Sequence, residues 1–290
     1  MKVVAPAKLN LYLWVGARRP DGLHEIESVM QSVSLVDELV VDAAGAVTLD
    51  VSPPGAAPED ESNLVVAAVR ALQTRCSSPG GAALSLTKRI PAGAGLGGGS
   101  SDAAAALVGL NRLWGCALSM KAVEKVGAGI GADVPFCVRG GTAGALGVGE
   151  RLAPLVVRDS LWWVIVVPPT PLSTADVYRR FDELGGSRVA SDAHELADAL
   201  ARGSLERIGA ALRNDLFDAA VALAPAVEGA RSSLLDAGAI GASMSGSGSA
   251  CFGLAHDEDD ARGIASRVAS DAGEIFVARS MERGAKIIDQ

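Results

Sequence analysis

The feature that most constrains this chain is the segment PAGAGLGGGSS at residues 91–101. Five glycines stand between Gly93 and Gly99, two serines follow, and a run rich in alanine and leucine begins at once. Backbone without Cβ atoms brings its N–H groups close to an anion. A helix starting at Ser100 or Ser101 adds open N–H groups and the positive end of its dipole. Pro91, Ala92, Gly93, Ala94, Gly95, Leu96, Gly97, Gly98, Gly99, Ser100 and Ser101 therefore read as a phosphate cradle. By glycine content alone, a mobile surface loop ahead of a capped helix fits as well. The strand expected at 82–88, the serine pair and the abrupt helix start favour the cradle. The loop lacks the Lys-Ser/Thr ending of a Walker A motif and the context of a dinucleotide fingerprint. Asp102 would repel phosphate from the first turn; it is read as complementing the helix dipole.

Alternation predicts a strand over 2–15, with Leu9, Leu11 and Leu13 on a buried face and Lys8, Asn10 and Tyr12 on the other. Asp21-Gly22 marks a turn, and strands are expected at 37–43 and 47–52. Asn63 is a good N-cap for a helix to about 75. Helices follow at 101–114 and from Ser119 to near Gly127, then a short strand at 134–139 and further strands or turns at 142–147 and 151–156. LWWVIVV at 161–167 reads as the central strand of a second unit. Helices are expected at 174–184, 191–202, 204–212, 225–237 and 257–270, and strands at IGASM, ACFGLA and 274–279. A domain boundary falls near 155–160.

A net charge of −8, without a long Lys/Arg run, argues against nucleic acid and anionic membranes as partners. Cys76, Cys116, Cys137 and Cys251 lack metal-ligand spacing and read as reduced core residues. The start MKVVAPAKLN has no signal-peptide pattern, and the most apolar run is too short to span a bilayer, so the expected location is the cytoplasm.

The glycine segment resembles the phosphate-binding motif of the GHMP kinase superfamily, and four further blocks follow the same family's order: APAKLNLYLWVGARRPDGLHEIES, GADVPFCVRGGTAGALGVGE, LSTADVYRRF and MSGSGSACFGLA. They span nearly the whole chain. The extended form GLGGGSSDAA resembles a branch that phosphorylates the 2-hydroxyl of a cytidine-diphosphate-linked methylerythritol in the non-mevalonate isoprenoid route. The resemblance implies an α+β, two-domain GHMP kinase fold with the active site in the inter-domain cleft. The ATP-binding domain would occupy 1–155 and the C-terminal domain 156–290. It implies ATP and Mg²⁺ as cofactors, and a small-molecule partner bound to a monomer or homodimer.

Residue by residue, the family's catalytic Lys falls on Lys8 in AKLN and its catalytic Asp on Asp133 in GADVP. From periodicity alone Lys8 and Asn10 form a solvated strand face, and Asp133 is a turn or cap residue. The resemblance makes Lys8 and Asp133 catalytic, with Asn10, His24 and Tyr178 binding the acceptor. His24 would meet the cytosine edge and Tyr178 would stack on the ring. Leu23 departs from the family's usual Tyr, removing a flat face and a hydroxyl. Mg²⁺ ligands stay open; Ser100 or Ser101 is possible by analogy. The loop at 245–249 takes a supporting role, and Asn214 and Asp215 stay outside the site. The rivals are another GHMP kinase, acting on mevalonate or homoserine, and a non-catalytic nucleotide sensor.

Overall fold

A computed structural model describes residues 1–77, 79–187 and 190–289. The first half runs β1 (Lys2–Arg18), β2 (His24–Ala44), β3 (Thr48–Ser52), α1 (Leu64–Gln73), β4 (Gly81–Thr87), α2 (Gly98–Leu113), α3 (Met120–Gly127), α4 (Val134–Arg139), β5 (Thr142–Gly147) and β6 (Arg151–Pro154). The second half runs β7 (Trp162–Val167), α5 (Thr174–Glu183), α6 (Ala193–Arg202), α7 (Leu205–Ala211), β8 (Arg213–Asn214), α8 (Phe217–Leu223), α9 (Ala226–Asp236), β9 (Ala242–Met244), β10 (Cys251–Ala255), α10 (Glu258–Arg267), β11 (Glu274–Arg279) and β12 (Lys286–Asp289).

Two sheets organise the chain. One has the order β12-β1-β2-β4-β3, with β5 and β6 extending from β2 and the short β8 parallel to β1. The other has the order β11-β7-β10-β9, so LWWVIVV is an interior strand as its β-branched run suggested. Leu84, Leu107 and Leu110 belong to a core beneath α1 and α2. Leu9 and Leu11 meet Trp163 and Phe252 in a second core between the sheets. The outer face of the second sheet packs on α8, α9 and α10 in a third.

Two faces of β1 are therefore closed. Leu9 and Leu11 are fully buried, yet Lys8 and Asn10 are only 4% and 3% exposed. The alternation is real, but its polar face looks into the protein instead of out to solvent. β2 is far longer than 37–43. Its first half carries Ser28, Gln31 and Ser32 at buried positions, which hides the apolar pattern. Gln31 earns its place by polar pairing: its Nε2 donates to Thr142 and its Oε1 accepts from Trp163 Nε1 at 2.8 Å. Residues 134–139 form a helix and not the expected strand. A short apolar run has no decisive period, and Pro135 fits a helical first turn. The expectation also passed over α8 and the edge strand β12.

Cys76 and Cys116 form a disulfide, contrary to their reading as reduced thiols. With a Cα–Cα distance of 4.9 Å it ties the end of α1 to the turn after α2. Forty residues separate the two cysteines, so only the packing of α1 on α2 reveals the pair. Cys137 and Cys251 remain free and buried, as expected. Closing a loop of this size stabilises by about 2–4 kcal/mol. Reduction, or Cys76→Ser, is expected to lower the urea midpoint accordingly. An unchanged midpoint would remove this stabilising role. Among the described residues no helix is long and apolar enough to cross a membrane.

Candidate active site

The glycine segment turns its acceptors inward. The carbonyl of Ala94 accepts from Ala250 N–H at 3.0 Å, and that of Leu96 from Lys8 N–H at 2.9 Å. Gly95 O accepts from the Ser245 hydroxyl at 2.9 Å. Among the described residues no acceptor is found for the amides of residues 93–100, so the donors are left for the cleft. Gly93, Gly95 and Gly97 take φ of 68°, 79° and 72°, where only glycine sits without strain. At Gly95 a Cβ would lie 2.1 Å from Ser245 O, so the two small-residue loops touch backbone to backbone.

The helix begins at Gly98, earlier than Ser100, with Gly97 as N-cap and no capping side chain. Its first N–H groups are thus open to an anion. Pro91 through Ser100 all line the cleft. Ser101 does not: its hydroxyl donates to Pro6 O at 2.6 Å in full burial, which removes it as a cation ligand.

Across the cradle, Lys8 Nζ donates to Asn10 Oδ1 at 2.5 Å and lies 3.4 Å from Asp133 Oδ2. Asn10 Nδ2 donates in turn to Ser28 Oγ at 2.9 Å, and its amide donates to Ser245 Oγ. This fixes the Asn10 oxygen toward Lys8. Asp133 stands before α4 but makes no capping bond with its side chain, so its carboxylate is free for Lys8 and the cleft. The second loop passes close: a Cβ on Gly246 would come 3.2 Å from Lys8 Nζ.

The cleft measures about 680 Å³ and joins the cradle, Lys8, Asn10, Asp133 and Tyr178. Burial, helped by the charge of Asp133, pushes the Tyr178 phenol up to about 12, so it stays a neutral donor. His24 is not on the cleft wall. It is buried behind Tyr178 with ring centroids 5.1 Å apart, edge-on to Phe181, and its Nε2 lies 2.8 Å from Asp182 Oδ1. Leu23 beside it is 53% exposed.

Several contributors stood outside the site as read from the sequence, Asn214 among them. Asn214 Nδ2 donates to the carbonyls of Met244 and Gly246, buttressing the second loop. Thr174 and Ser247 share a hydroxyl bond at 2.9 Å across the cleft. Lys88, just before the cradle in TKRIP, lines the cleft too. No local pattern marks Asn214, whereas Lys88 stood next to the segment already singled out.

Two sheets meeting at an amide cradle faced by a lysine and an aspartate define a small-molecule kinase of the GHMP type. The family model for the GHMP kinases N terminal domain matches residues 63–141, and that for GHMP kinases C terminal matches 196–274. The chain is 40% identical over 289 residues to the 4-diphosphocytidyl-2-C-methyl-D-erythritol kinase of Gloeobacter violaceus, covering 98% of this chain and 95% of that protein. Against the same-named kinase of Pelotomaculum thermopropionicum it is 43% identical over 283 residues, covering 96% of each. A crystal structure of 4-(cytidine 5'-diphospho)-2C-methyl-D-erythritol kinase superposes with a TM-score of 0.81 at 36% identity, over 97% of this chain and 99% of that one. The chain belongs to the GHMP kinases, within the family of 4-diphosphocytidyl-2-C-methyl-D-erythritol kinases.

Proposed function

We propose that the protein transfers the γ-phosphoryl group of ATP to the 2-hydroxyl of 4-diphosphocytidyl-2-C-methyl-D-erythritol, a step toward isopentenyl diphosphate by the non-mevalonate route. The observation that carries this reading is the Lys8–Asp133 pair, 3.4 Å apart, sharing one cleft with the amide cradle. The cradle's N–H groups hold the nucleotide's phosphates. The bond from Pγ to the β,γ-bridging oxygen breaks, a bond from Pγ to the acceptor oxygen forms, and the hydroxyl proton passes to Asp133. A carboxylate beside an ammonium is a weak base. A loose phosphoryl-transfer transition state needs little early deprotonation, so in-line positioning and charge compensation dominate. Lys8, held by Asn10, supplies a cation toward the transferring group.

Asn10 and Tyr178 would meet the acceptor, Tyr178 stacking on the base. His24 would act from behind Tyr178, backing that ring while its Nε2 pairs with Asp182. Among the described residues no group of three or more His, Cys, Asp and Glu is gathered for a metal. That suits Mg²⁺, which keeps waters and binds through phosphate oxygens with few protein ligands. The Ser100 hydroxyl is the cradle oxygen that would hold it. When bound, the ion neutralises phosphate charge. The compartment in this reading is the cytoplasm.

The test is ADP release with a panel of acceptors: the cytidine-diphosphate compound, mevalonate and homoserine. Turnover is expected only with the first, with protection by cytidine diphosphate. Turnover with mevalonate or homoserine alone would replace the acceptor. ATP binding without product from any acceptor would support a sensor.

A further inference from the structure

Helix α5 lays one stripe along the cleft. Thr174, Tyr178 and Asp182 recur every four residues, so they share a face of the helix. Thr174 and Tyr178 line the cleft, and the Thr174 hydroxyl bonds to that of Ser247 in the second loop. Asp182, one turn beyond Tyr178, reaches across to β2 and bonds to His24 Nε2 at 2.8 Å. Neighbouring charges of the helix are matched within it, Asp176 to Arg179 and Arg180 to Glu183. On another face Val177 and Phe181 belong to the same core as Leu216 and Ala220, which seats the helix.

Three residues of that helix hold His24. Its ring stands 5.1 Å from the Tyr178 ring at 33°, and edge-on to Phe181 at 6.1 Å and 81°. The imidazole is 5% exposed, whereas the Asp182 carboxylate is 41% exposed. A carboxylate only accepts, so Nε2 carries the proton of this bond in either charge state of the ring. A pair with so open a carboxylate stabilises the fold little. What the bond fixes is orientation: it pins one edge of the imidazole, and the imidazole backs Tyr178. Among the described residues no hydrogen bond ties the Tyr178 hydroxyl, so packing sets the tilt of that ring and its polar end does not.

We propose that Asp182 is a positioning residue for the acceptor: it holds His24, and through His24 the plane of the Tyr178 ring on which the acceptor's base stacks. This rests on the acceptor reading of the cleft given above. Asp182 lies off the cleft wall and touches no reacting atom. Aromatic pairs prefer a few mutual tilts, so a ring already held in one of them loses less freedom when the base arrives. Removing the carboxylate frees the imidazole, and the Tyr178 ring then samples tilts that do not match the base. The effect is confined to acceptor affinity. The cradle, Lys8 and Asp133 are untouched, so nucleotide affinity and the transfer step stay as they are.

The test is steady-state kinetics of Asp182→Ala and Asp182→Asn with ATP and the cytidine-diphosphate acceptor. Asp182→Ala should raise KM for the acceptor about fivefold, with kcat and KM for ATP within about twofold. Asp182→Asn keeps an accepting oxygen for the Nε2 proton and should return the acceptor KM to within about twofold of the unaltered protein. In a Tyr178→Ala background, Asp182→Ala should change kcat/KM for the acceptor by less than about twofold, because the ring it acts through is gone. The chain has two tyrosines, Tyr12 and Tyr178. An NMR spectrum of protein carrying ring-labelled tyrosine therefore reads the ring without any ligand. The Tyr178 resonance, assigned with Tyr178→Phe, should move in Asp182→Ala while that of Tyr12 stays. An unchanged acceptor KM in Asp182→Ala, a loss confined to kcat, an asparagine variant as impaired as the alanine one, or an unmoved Tyr178 resonance each overturns this inference alone. So does a loss that persists in full in the Tyr178→Ala background. No turnover of the cytidine compound by the unaltered protein overturns it together with the acceptor reading.

Discussion

Asp133→Asn should lower kcat by about 10³-fold while leaving KM for ATP within about twofold. The exchange preserves size and the position before α4, where Asp133 makes no capping bond whose loss would disturb the helix. What it removes is a charge 3.4 Å from Lys8 Nζ and the carboxylate that takes the acceptor's proton in the proposed transfer. The cradle is untouched, because its donors are main-chain groups of residues 93–100. The effect therefore falls on turnover and not on nucleotide affinity. Single-turnover product formation with ATP and the cytidine-diphosphate acceptor measures this directly. Near-normal turnover would remove Asp133 from proton transfer and leave it a charge partner only.

Lys8→Met is the companion experiment, with an expected loss of similar size. Methionine retains the aliphatic stem that packs against Gly97, where a Cβ would meet Lys8 Cγ at 2.9 Å. It deletes the ammonium shared by Asn10 and Asp133. The Asn10 oxygen then loses its donor in a buried setting, at a cost of about 1–3 kcal/mol in stability. A thermal melt separates that cost from the loss in kcat. If the two residues act as a unit, the double variant should be scarcely slower than either single one, since such effects do not add. Fully multiplicative losses would mean that Lys8 and Asp133 act on separate steps.

How far the sequence foretells this site depends on the distance over which each feature is made. Local features were legible. Asn63 caps α1 by accepting from Val65 N–H at 2.9 Å, and Ser119 caps α3, each from a side chain two or three residues away. The glycine segment announced its backbone approach because the torsions it needs belong to glycine. Features made by long-range packing were not legible. The polar face of β1 looked solvated, since alternation reports chemistry and not which neighbour will cover it. The start of α2 at Gly98 runs against glycine's weak helix propensity. It is set by the fit of that glycine against Ile90 and Lys88, where a Cβ would lie 3.1 and 3.2 Å away. Asp182 and His24 come from α5 and β2, 158 residues apart, and nothing local to either marks their meeting. The Lys8 and Asp133 roles came from resemblance, because no local rule distinguishes a strand lysine or a cap aspartate that faces a cleft.

The inward-turned carbonyls of Ala94, Gly95 and Leu96 have a consequence for inheritance of the site. In the proposed reading its anion donors belong to no side chain, so exchanging Ala94 or Leu96 deletes none of them, although both are buried in the core and are constrained in size. The mutation that would subtract a single donor is to proline, the residue that arrives without an N–H. Between Gly93 and Ser100 a proline scan would remove amides singly only outside Gly93, Gly95 and Gly97, whose positive φ proline cannot adopt.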